Sequence, residues 1–145
     1  MLNNHKLRIA SGIWDDLAPD AKAIREAVFI QEQHIAPEDE WDAEDPLAVH
    51  FIAYLQEQPV ATARLLANHS IGRVAVMQSA RGLGIGQQIM QAIIAQARAE
   101  QREYVKLSSQ VHALGFYQGL GFVVQGEEYL DCGIPHIDMY LKLSD

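Results

Sequence analysis

The sequence has little cysteine and no long apolar run. Its one cysteine, Cys132, cannot form an internal disulfide, so the fold should not depend on an oxidising compartment, and we predict a cytoplasmic protein. No stretch approaches the ~20 consecutive apolar residues that cross a bilayer. Residues 1–10 lack the apolar core of a signal peptide. We therefore expect neither membrane insertion nor secretion.

Basic residues are also scarce, because 11 Lys and Arg stand against 19 Asp and Glu, which gives a net charge of −8. Proteins that bind a phosphate backbone gather Lys and Arg on one face, so nucleic acid is not an expected partner. The acidity is concentrated in residues 38–45. This segment is either a rim that attracts a cationic ligand or, as charge runs in loops usually are, a solvated loop. It lacks the ligand spacing of a calcium loop, and we predict no metal site.

The length and the apolar content suit a single domain over residues 1–145, since 49% of 145 residues are hydrophobic. Alternating and helical periodicities predict the elements in order. The strand over 71–76 and the strand over 104–109 flank a long helix, so this crossover should make them parallel neighbours. The predicted strands are 7–14, 49–55, 60–66, 71–76, 104–109, 123–126 and 137–143, and the predicted helices are 21–33 (capped by Asp20 and ended before Pro37), 84–100 and 113–119.

A glycine-rich turn joins the predicted strand 71–76 to the long helix, with the sequence Arg81-Gly82-Leu83-Gly84-Ile85-Gly86. Such a turn exposes backbone N–H groups at the positive end of a helix, where phosphate binds well, and Arg81 adds a charged donor. The alternating glycines do not fit the dinucleotide fingerprint, and Gln87-Gln88 do not fit the nucleotide P-loop. The glycines by themselves are equally consistent with a tight turn and a helix cap that bind no phosphate.

A second motif supports the phosphate interpretation. Arg81-x-x-Gly84-x-Gly86, followed thirty residues later by Ala113-Leu114-Gly115-Phe116-Tyr117-Gln118-Gly119-Leu120-Gly121-Phe122, resembles the two signature segments of the GNAT N-acetyltransferase superfamily. The likeness spans residues 7–143. Within the superfamily the chain is most similar to the small bacterial ElaA-type branch, through Ala27-Val28-Phe29 with Glu32-Gln33, Ile71-Gly72-Arg73-Val74, Gly86-Gln87-Gln88 and Gly133-Ile134-Pro135-His136-Ile137.

The resemblance implies an α/β (α+β) fold, with a mixed, mostly antiparallel sheet flanked by helices on both faces and central strands that splay apart. It implies acetyl-CoA as cosubstrate and an amine as acceptor. It also implies that Tyr117 is the general acid, a role that suits a proton donor whose side chain is neutral at working pH. Gln110 stands where many members carry Asn. The implied cofactor-binding residues are Val74, Ala75 and Val76 (pantetheine arm), Arg81, Gly82, Leu83, Gly84, Ile85, Gly86 and Gln87 (pyrophosphate), and Gln110, Phe116 and Tyr117.

Acetyl transfer by direct attack also needs a base that takes a proton from the amine. Glu32 is one candidate, unless it is simply a solvated helix end. His50 is another, unless a backbone carbonyl satisfies it within its strand. His136 is the third, with a structural turn as its alternative. His112 is a weaker candidate that could simply cap the helix after it.

Several questions stay open at this stage. Arg25 and Arg64 could form salt bridges or position an anionic acceptor, and Cys132 has no predicted role. The predicted function is acetyl transfer from acetyl-CoA to a primary amine of a small molecule or peptide. The alternative is a catalytically silent CoA-binding sensor or interaction module on the same fold. A homodimer is an expectation from general frequency only.

Overall fold

Seven strands form one sheet in the computed structural model, which describes residues 6–144. Their order across the sheet is β1-β2-β3-β4-β5-β7-β6, and within the described residues only the β4–β5 pair is parallel. The predicted mixed, mostly antiparallel sheet is therefore confirmed. The strands are β1 (Leu7–Gly12), β2 (Val49–Leu55), β3 (Gln58–Leu65), β4 (Ser70–Val76), β5 (Tyr104–Gln110), β6 (Val123–Asp131) and β7 (Ile134–Lys142).

Helices cover both faces of the sheet, as predicted. On one face, the four-residue repeat of α3 buries Ile85, Ile89 and Ile93 against the sheet. On the other face, Ile24 and Val28 pack on β2 and β4. The helices are α1 (Trp14–Arg25), continued by a π-helical segment (Glu26–Glu32), α2 (Pro37–Glu40), α3 (Ile85–Ala99) and α4 (Leu114–Gly119). None of the helices in residues 6–144 is long and apolar enough to cross a membrane.

The predicted start of the first helix was wrong. The helix begins at Trp14, with Asp15 and Asp16 in its first turn, where carboxylates suit the helix dipole. Asp20 therefore lies inside the helix and does not cap it. Its carboxylate accepts a hydrogen bond from the Tyr54 hydroxyl at 2.5 Å, which ties α1 to β2. The final strand pair is also longer than predicted.

The two central strands separate soon after they meet. β4 and β5 pair only at Ser70 with Lys106 and at Ile71 with Leu107. Beyond that point the register of β4 on β3 shifts, and Arg73 takes a left-handed φ of 52°. The rest of β4 is thus left without β5 as a neighbour. The structure shows the splay that the family resemblance implied.

The acidic segment is not a solvated loop, so that interpretation is corrected. Glu40 and Asp45 are buried, and both accept hydrogen bonds from Arg25, which is only 1% exposed, at 2.7 and 2.8 Å. Arg64 donates to Asp45 at 2.7 Å and to both oxygens of Asp42 at 2.8 Å. The hydrogen bonds from Arg64 lower the pKa of Asp42 to about 2. Arg25 and Arg64 therefore form salt bridges.

Arg73 completes this network from β4. Its guanidinium donates to the Glu40 carbonyl at 3.0 Å and lies 3.1 Å from the Asp42 carboxylate. Three arginines and three carboxylates (Arg25, Arg64, Arg73, Glu40, Asp42, Asp45) thus balance one another. The network fixes the acidic segment against the point where β4 leaves β5.

We expect Asp45→Ala to destabilise the fold by about 3–5 kcal/mol, because it leaves two buried guanidinium groups short of a partner. Urea unfolding measures this. The control is Glu57→Ala, which breaks the exposed Arg8–Glu57 pair and should leave the unfolding midpoint unchanged within error. Equal effects of the two substitutions would contradict the structural importance of the network.

Candidate functional site

Two cavities open along the gap between β4 and β5. The larger, the cradle cavity, has a volume of about 920 Å³ and reaches the start of α3. The smaller, the inner chamber, has a volume of about 450 Å³ and reaches α2 and the β6–β7 turn. Six residues line both cavities, so the cavities meet at one junction. These shared residues are Gln33, Val74, Gln110, His112, Ala113 and Tyr117.

The start of α3 presents free donors to the cradle cavity. Gly82 and Gly84 have φ values of 80° and 79°, the left-handed conformation that glycine adopts without strain. The first amide of the helix with an acceptor is that of Gln88, which donates to the Gly84 carbonyl at 3.2 Å. Within residues 6–144, the amides of 82–87 make no hydrogen bond, and no side chain caps the helix. This arrangement suits an anion such as phosphate.

Arg81 stands beside these amides but is already paired. Its two terminal nitrogens each donate to the Glu32 carboxylate at 2.6 Å, and its Nε donates to the Val76 carbonyl at 3.0 Å. The hydrogen bonds from Arg81 hold the pKa of Glu32 below its usual value. Two residues predicted for different roles thus meet in one ion pair. A carboxylate held in its charged form by a guanidinium is a poor acceptor for a proton.

The free edge of β4 forms a wall of the cradle cavity. Val74 and Val76 line it, whereas the Ala75 side chain points to the opposite face and packs with Ile24. Because β5 pairs with none of Val74, Ala75 and Val76, the edge of β4 at these residues borders the gap. Of the other predicted cofactor residues, Leu83 does not line either cavity. Those that line the cradle cavity are Arg81, Gly82, Gly84, Ile85, Gly86, Gln87, Gln110, Phe116 and Tyr117.

Tyr117 lies at the junction of the two cavities. Helix α4 carries it, and edge-on contacts with Phe116 and Phe122 fix its ring, with centroids 5.0 and 6.0 Å away. The residue is only 8% exposed, and no hydrogen bond to its hydroxyl occurs within residues 6–144. Burial raises the pKa of Tyr117 to about 12. The phenol therefore keeps its proton and offers it to whatever occupies the junction.

Gln110 links the two sides of the gap. Its side-chain Nε2 donates to the side-chain Oε1 of Gln33 at 2.9 Å, and its own Oε1 accepts a hydrogen bond from His112 Nε2 at 2.6 Å. His112 therefore does not cap α4, whose N-cap, Ala113, has no side-chain hydrogen bond. His112 lines both cavities. Its place two residues after Gln110, at the end of a strand that borders the gap, was the available signal.

His50 does not face the gap. It is 1% exposed, its Nε2 lies 2.8 Å from the Asp45 carbonyl oxygen, and its ring lies 4.6 Å from that of Trp14. Burial lowers the pKa of His50, so the ring is held neutral. The residue belongs to the packing of the acidic segment, and its prediction as a base is corrected.

His136 does line the inner chamber. It lies on β7, opposite Gln110 of β5, and stacks on Tyr129 with ring centroids 6.1 Å apart. Its Nδ1 donates to the Ile134 carbonyl at 2.7 Å, which leaves the lone pair of the neutral ring on Nε2. Within the described residues, Nε2 makes no hydrogen bond. Of the three predicted bases, His136 is the one with a free nitrogen in a cavity wall.

Cys132 lies in the β6–β7 turn at the rim of the inner chamber. Burial, followed by the charges of Asp131 and Asp39, raises the pKa of its thiol. The group is therefore a thiol and not a thiolate at neutral pH, which disfavours nucleophilic catalysis.

Comparison with known proteins places this geometry in context. A family model described as an acetyltransferase (GNAT) domain matches residues 15–143. The uncharacterized N-acetyltransferase YjcF of Bacillus subtilis is 36% identical over 124 residues, which are 83% of this chain and 89% of YjcF. The protein ElaA of Escherichia coli is 34% identical over 125 residues, which are 80% of this chain and 81% of ElaA.

Solved structures agree with these relatives. The crystal structure of Escherichia coli ElaA matches with a TM-score of 0.83 at 28% identity, and the match covers 93% of this chain and 99% of ElaA. An acyl-CoA N-acyltransferase from Pseudomonas aeruginosa matches with a TM-score of 0.83 at 32% identity, over 93% of this chain and 99% of that protein.

Proposed function

This chain belongs to the family of acetyltransferase (GNAT) domains, in its ElaA-type branch, and on that premise we propose that it transfers an acetyl group from acetyl-CoA to a primary amine by direct attack. The acceptor is a small molecule or a peptide. One observation carries the proposal: Tyr117 presents a hydroxyl that makes no hydrogen bond within residues 6–144 to the junction where the cradle cavity meets the inner chamber. The acyl donor would enter from the first cavity and the amine from the second.

The residues of the cradle cavity fit acetyl-CoA, which would supply the acyl group as an activated thioester. The free amides of the five residues that line the cavity, 82 and 84–87, suit a pyrophosphate, because they lie at the positive end of a helix. The open edge of β4 suits an extended arm with amide groups, since β5 leaves it unpaired at Val74 and Val76, where only the Val76 carbonyl is taken, by Arg81 Nε. The Pseudomonas relative, an acyl-CoA N-acyltransferase, supports the same class of donor.

Tyr117 would act as the general acid. It keeps its proton until a stronger base forms beside it, and it would give that proton to the sulfur that leaves the acyl group.

His136 would act as the base. Its free Nε2 would take the proton that the attacking amine loses, while the hydrogen bond from Nδ1 to the Ile134 carbonyl fixes the ring and its tautomer. Glu32 is less suited because Arg81 neutralises it, and His50 is less suited because it lies outside both cavities.

We expect Tyr117→Phe to lower kcat by about 10²-fold or more, the usual share of a general acid. Binding of acetyl-CoA and the thermal midpoint should change little, because the hydroxyl makes no hydrogen bond within residues 6–144. Steady-state kinetics and calorimetry measure both. An unchanged rate would remove Tyr117 from this role. A wild-type protein that binds acetyl-CoA but acetylates no amine in a broad screen would instead be a silent CoA-binding module.

We expect His136→Gln to lower kcat by a similar factor of about 10² or more, because the amine then loses its proton acceptor. The matched control is His34→Gln, an exposed histidine outside both cavities. Rate measurements on the two variants, with unfolding curves to confirm the fold, decide the assignment. If both variants keep the wild-type rate, His136 is not the base.

We expect Glu32→Gln to tighten acetyl-CoA binding by about two- to fivefold, because the substitution frees Arg81 and removes a charge that repels phosphate. Its kcat should stay close to that of the wild type. Glu26→Gln, on the same π-helical segment, controls for the change in net charge. A large fall in kcat would restore Glu32 as the base, and weaker binding would contradict the competition for Arg81.

A further inference from the structure

Strand β6 pairs with β7 in two separate registers. On one side of the irregularity Gln125 lies opposite Asp138, and on the other side Tyr129 lies opposite His136. Between these pairs, three residues of β6 stand against a single residue of β7. Gly126 permits this β-bulge, because its φ of 88° is a left-handed conformation that glycine adopts without strain. The bulge therefore displaces the rest of β6 by two residues relative to β7.

This displacement decides which side chain lies opposite His136. If the register of Gln125 continued along β6, Glu127 would take that place. The bulge instead leaves Glu127 and Glu128 exposed and brings Tyr129 there. A carboxylate beside an imidazole favours the imidazolium, which carries a proton on both nitrogens and cannot accept another. Tyr129 offers a neutral aromatic ring in place of that carboxylate.

Hydrogen bonds with two other strands hold the phenol of Tyr129. Its hydroxyl donates to Asp138 Oδ1 on β7 at 2.7 Å. Since its only proton is used there, the hydroxyl accepts a hydrogen bond from the Ser108 hydroxyl on β5. Ser108 lies directly opposite Asp138 and also lines the inner chamber. The Tyr129 ring therefore cannot turn without losing hydrogen bonds to both strands.

Two contacts fix the imidazole of His136. The Tyr129 ring stacks on it with an interplanar angle of 26° and ring centroids 6.1 Å apart, within the range of stacked aromatic pairs. The imidazole Nδ1 donates to the Ile134 carbonyl at 2.7 Å. This hydrogen bond selects the tautomer with a lone pair on Nε2, and it lasts only while the ring keeps its orientation. The stacked tyrosine limits the rotation that would break it.

We propose that Tyr129 is a positioning residue for His136: its ring, anchored by Ser108 and Asp138, holds the imidazole in the tautomer whose Nε2 can accept a proton. This inference rests on the proposed function, because it explains how the base of that reaction is prepared. Tyr129 lines neither the cradle cavity nor the inner chamber, so it acts through His136 and not on a substrate.

The direct test reads the tautomer of His136 by nitrogen NMR of the whole chain with isotope-labelled histidine. The signals of His136 are those that disappear in His136→Gln. We expect the wild-type ring to carry its proton on Nδ1. In Tyr129→Leu the ring loses its stacking partner, so a mixture of both tautomers should appear. Tyr129→Phe, which keeps the ring and loses the two hydrogen bonds, should stay closer to the wild type.

The matched control is Tyr140→Leu. Tyr140 is an exposed tyrosine on the same face of β7 as His136, and it lines neither cavity. Its substitution removes the same ring from the same sheet and should leave the tautomer of His136 as in the wild type. Urea unfolding of each variant confirms that the compared proteins are folded.

Rates with acetyl-CoA and butylamine, as the probe amine, separate positioning from binding. We expect Tyr129→Leu to lower kcat by about tenfold with little change in KM for butylamine, because a misplaced base slows proton removal without weakening substrate binding. Tyr129→Phe should recover most of this loss, and Tyr140→Leu should keep the wild-type kcat.

The two measurements fail in different ways. A tautomer that is the same in Tyr129→Leu as in the wild type would overturn the inference, whatever the rates, and so would a wild-type ring protonated on Nε2. A changed tautomer with an unchanged kcat would support the positioning of His136 by Tyr129 and overturn His136 as the base in the proposed function. If the wild type acetylates no amine, the tautomer alone decides the inference.

Discussion

Beyond Ile71 the two central strands stop pairing, and the rest of the candidate site depends on this interruption. In an ordinary sheet the backbone groups of Val74 and Val76 would bond to β5. Here they face a gap. Arg81 Nε satisfies the Val76 carbonyl, and this half-buried edge is otherwise open to water or a ligand. The same gap separates the ends of β4 and β5 enough for Tyr117 and Gln110 to face one junction.

The buried ion network explains why the strands diverge where they do. Arg73 is the point of divergence, with a left-handed φ of 52°, which is unfavourable for a residue with a side chain. Its guanidinium is bound to the carbonyl and carboxylate of Glu40 and to Asp42, so the interactions of the acidic segment offset this strain. The acidic segment, which looked like a surface loop, is therefore part of what shapes the site.

Local patterns predicted most of the fold. Three local signals each specify their structure within a few residues: the four-residue repeat of α3, the β-rich runs of β2 and β3, and the glycines before Ile85. The start of α1 was missed, because Asp20 resembled a helix cap although the helix extends through it. Local sequence alone does not reveal that the Asp20 side chain is bound to Tyr54.

The site was predicted less completely than the fold, for a physical reason. The glycine turn and the Phe116-Tyr117 segment carry local signals, and the structure brings them to one cavity. The pairing of Arg81 with Glu32 joins residues 49 positions apart, and that of Arg25 with Glu40 joins residues 15 positions apart. Such long-range ion pairs determine which charged side chains are already paired and which are unpaired. This is why Glu32 and His50 looked as suitable as His136 in the sequence.

The central claim is that the gap between β4 and β5 and the start of α3 together receive acetyl-CoA. Amide hydrogen exchange, measured with and without acetyl-CoA, tests this claim most directly. The account predicts slower exchange at residues 74–76 and 82–87 when acetyl-CoA is added, while β1 and β2, on the far side of the sheet, are unaffected. Unchanged exchange at both segments, in a folded protein at millimolar acetyl-CoA, would contradict it.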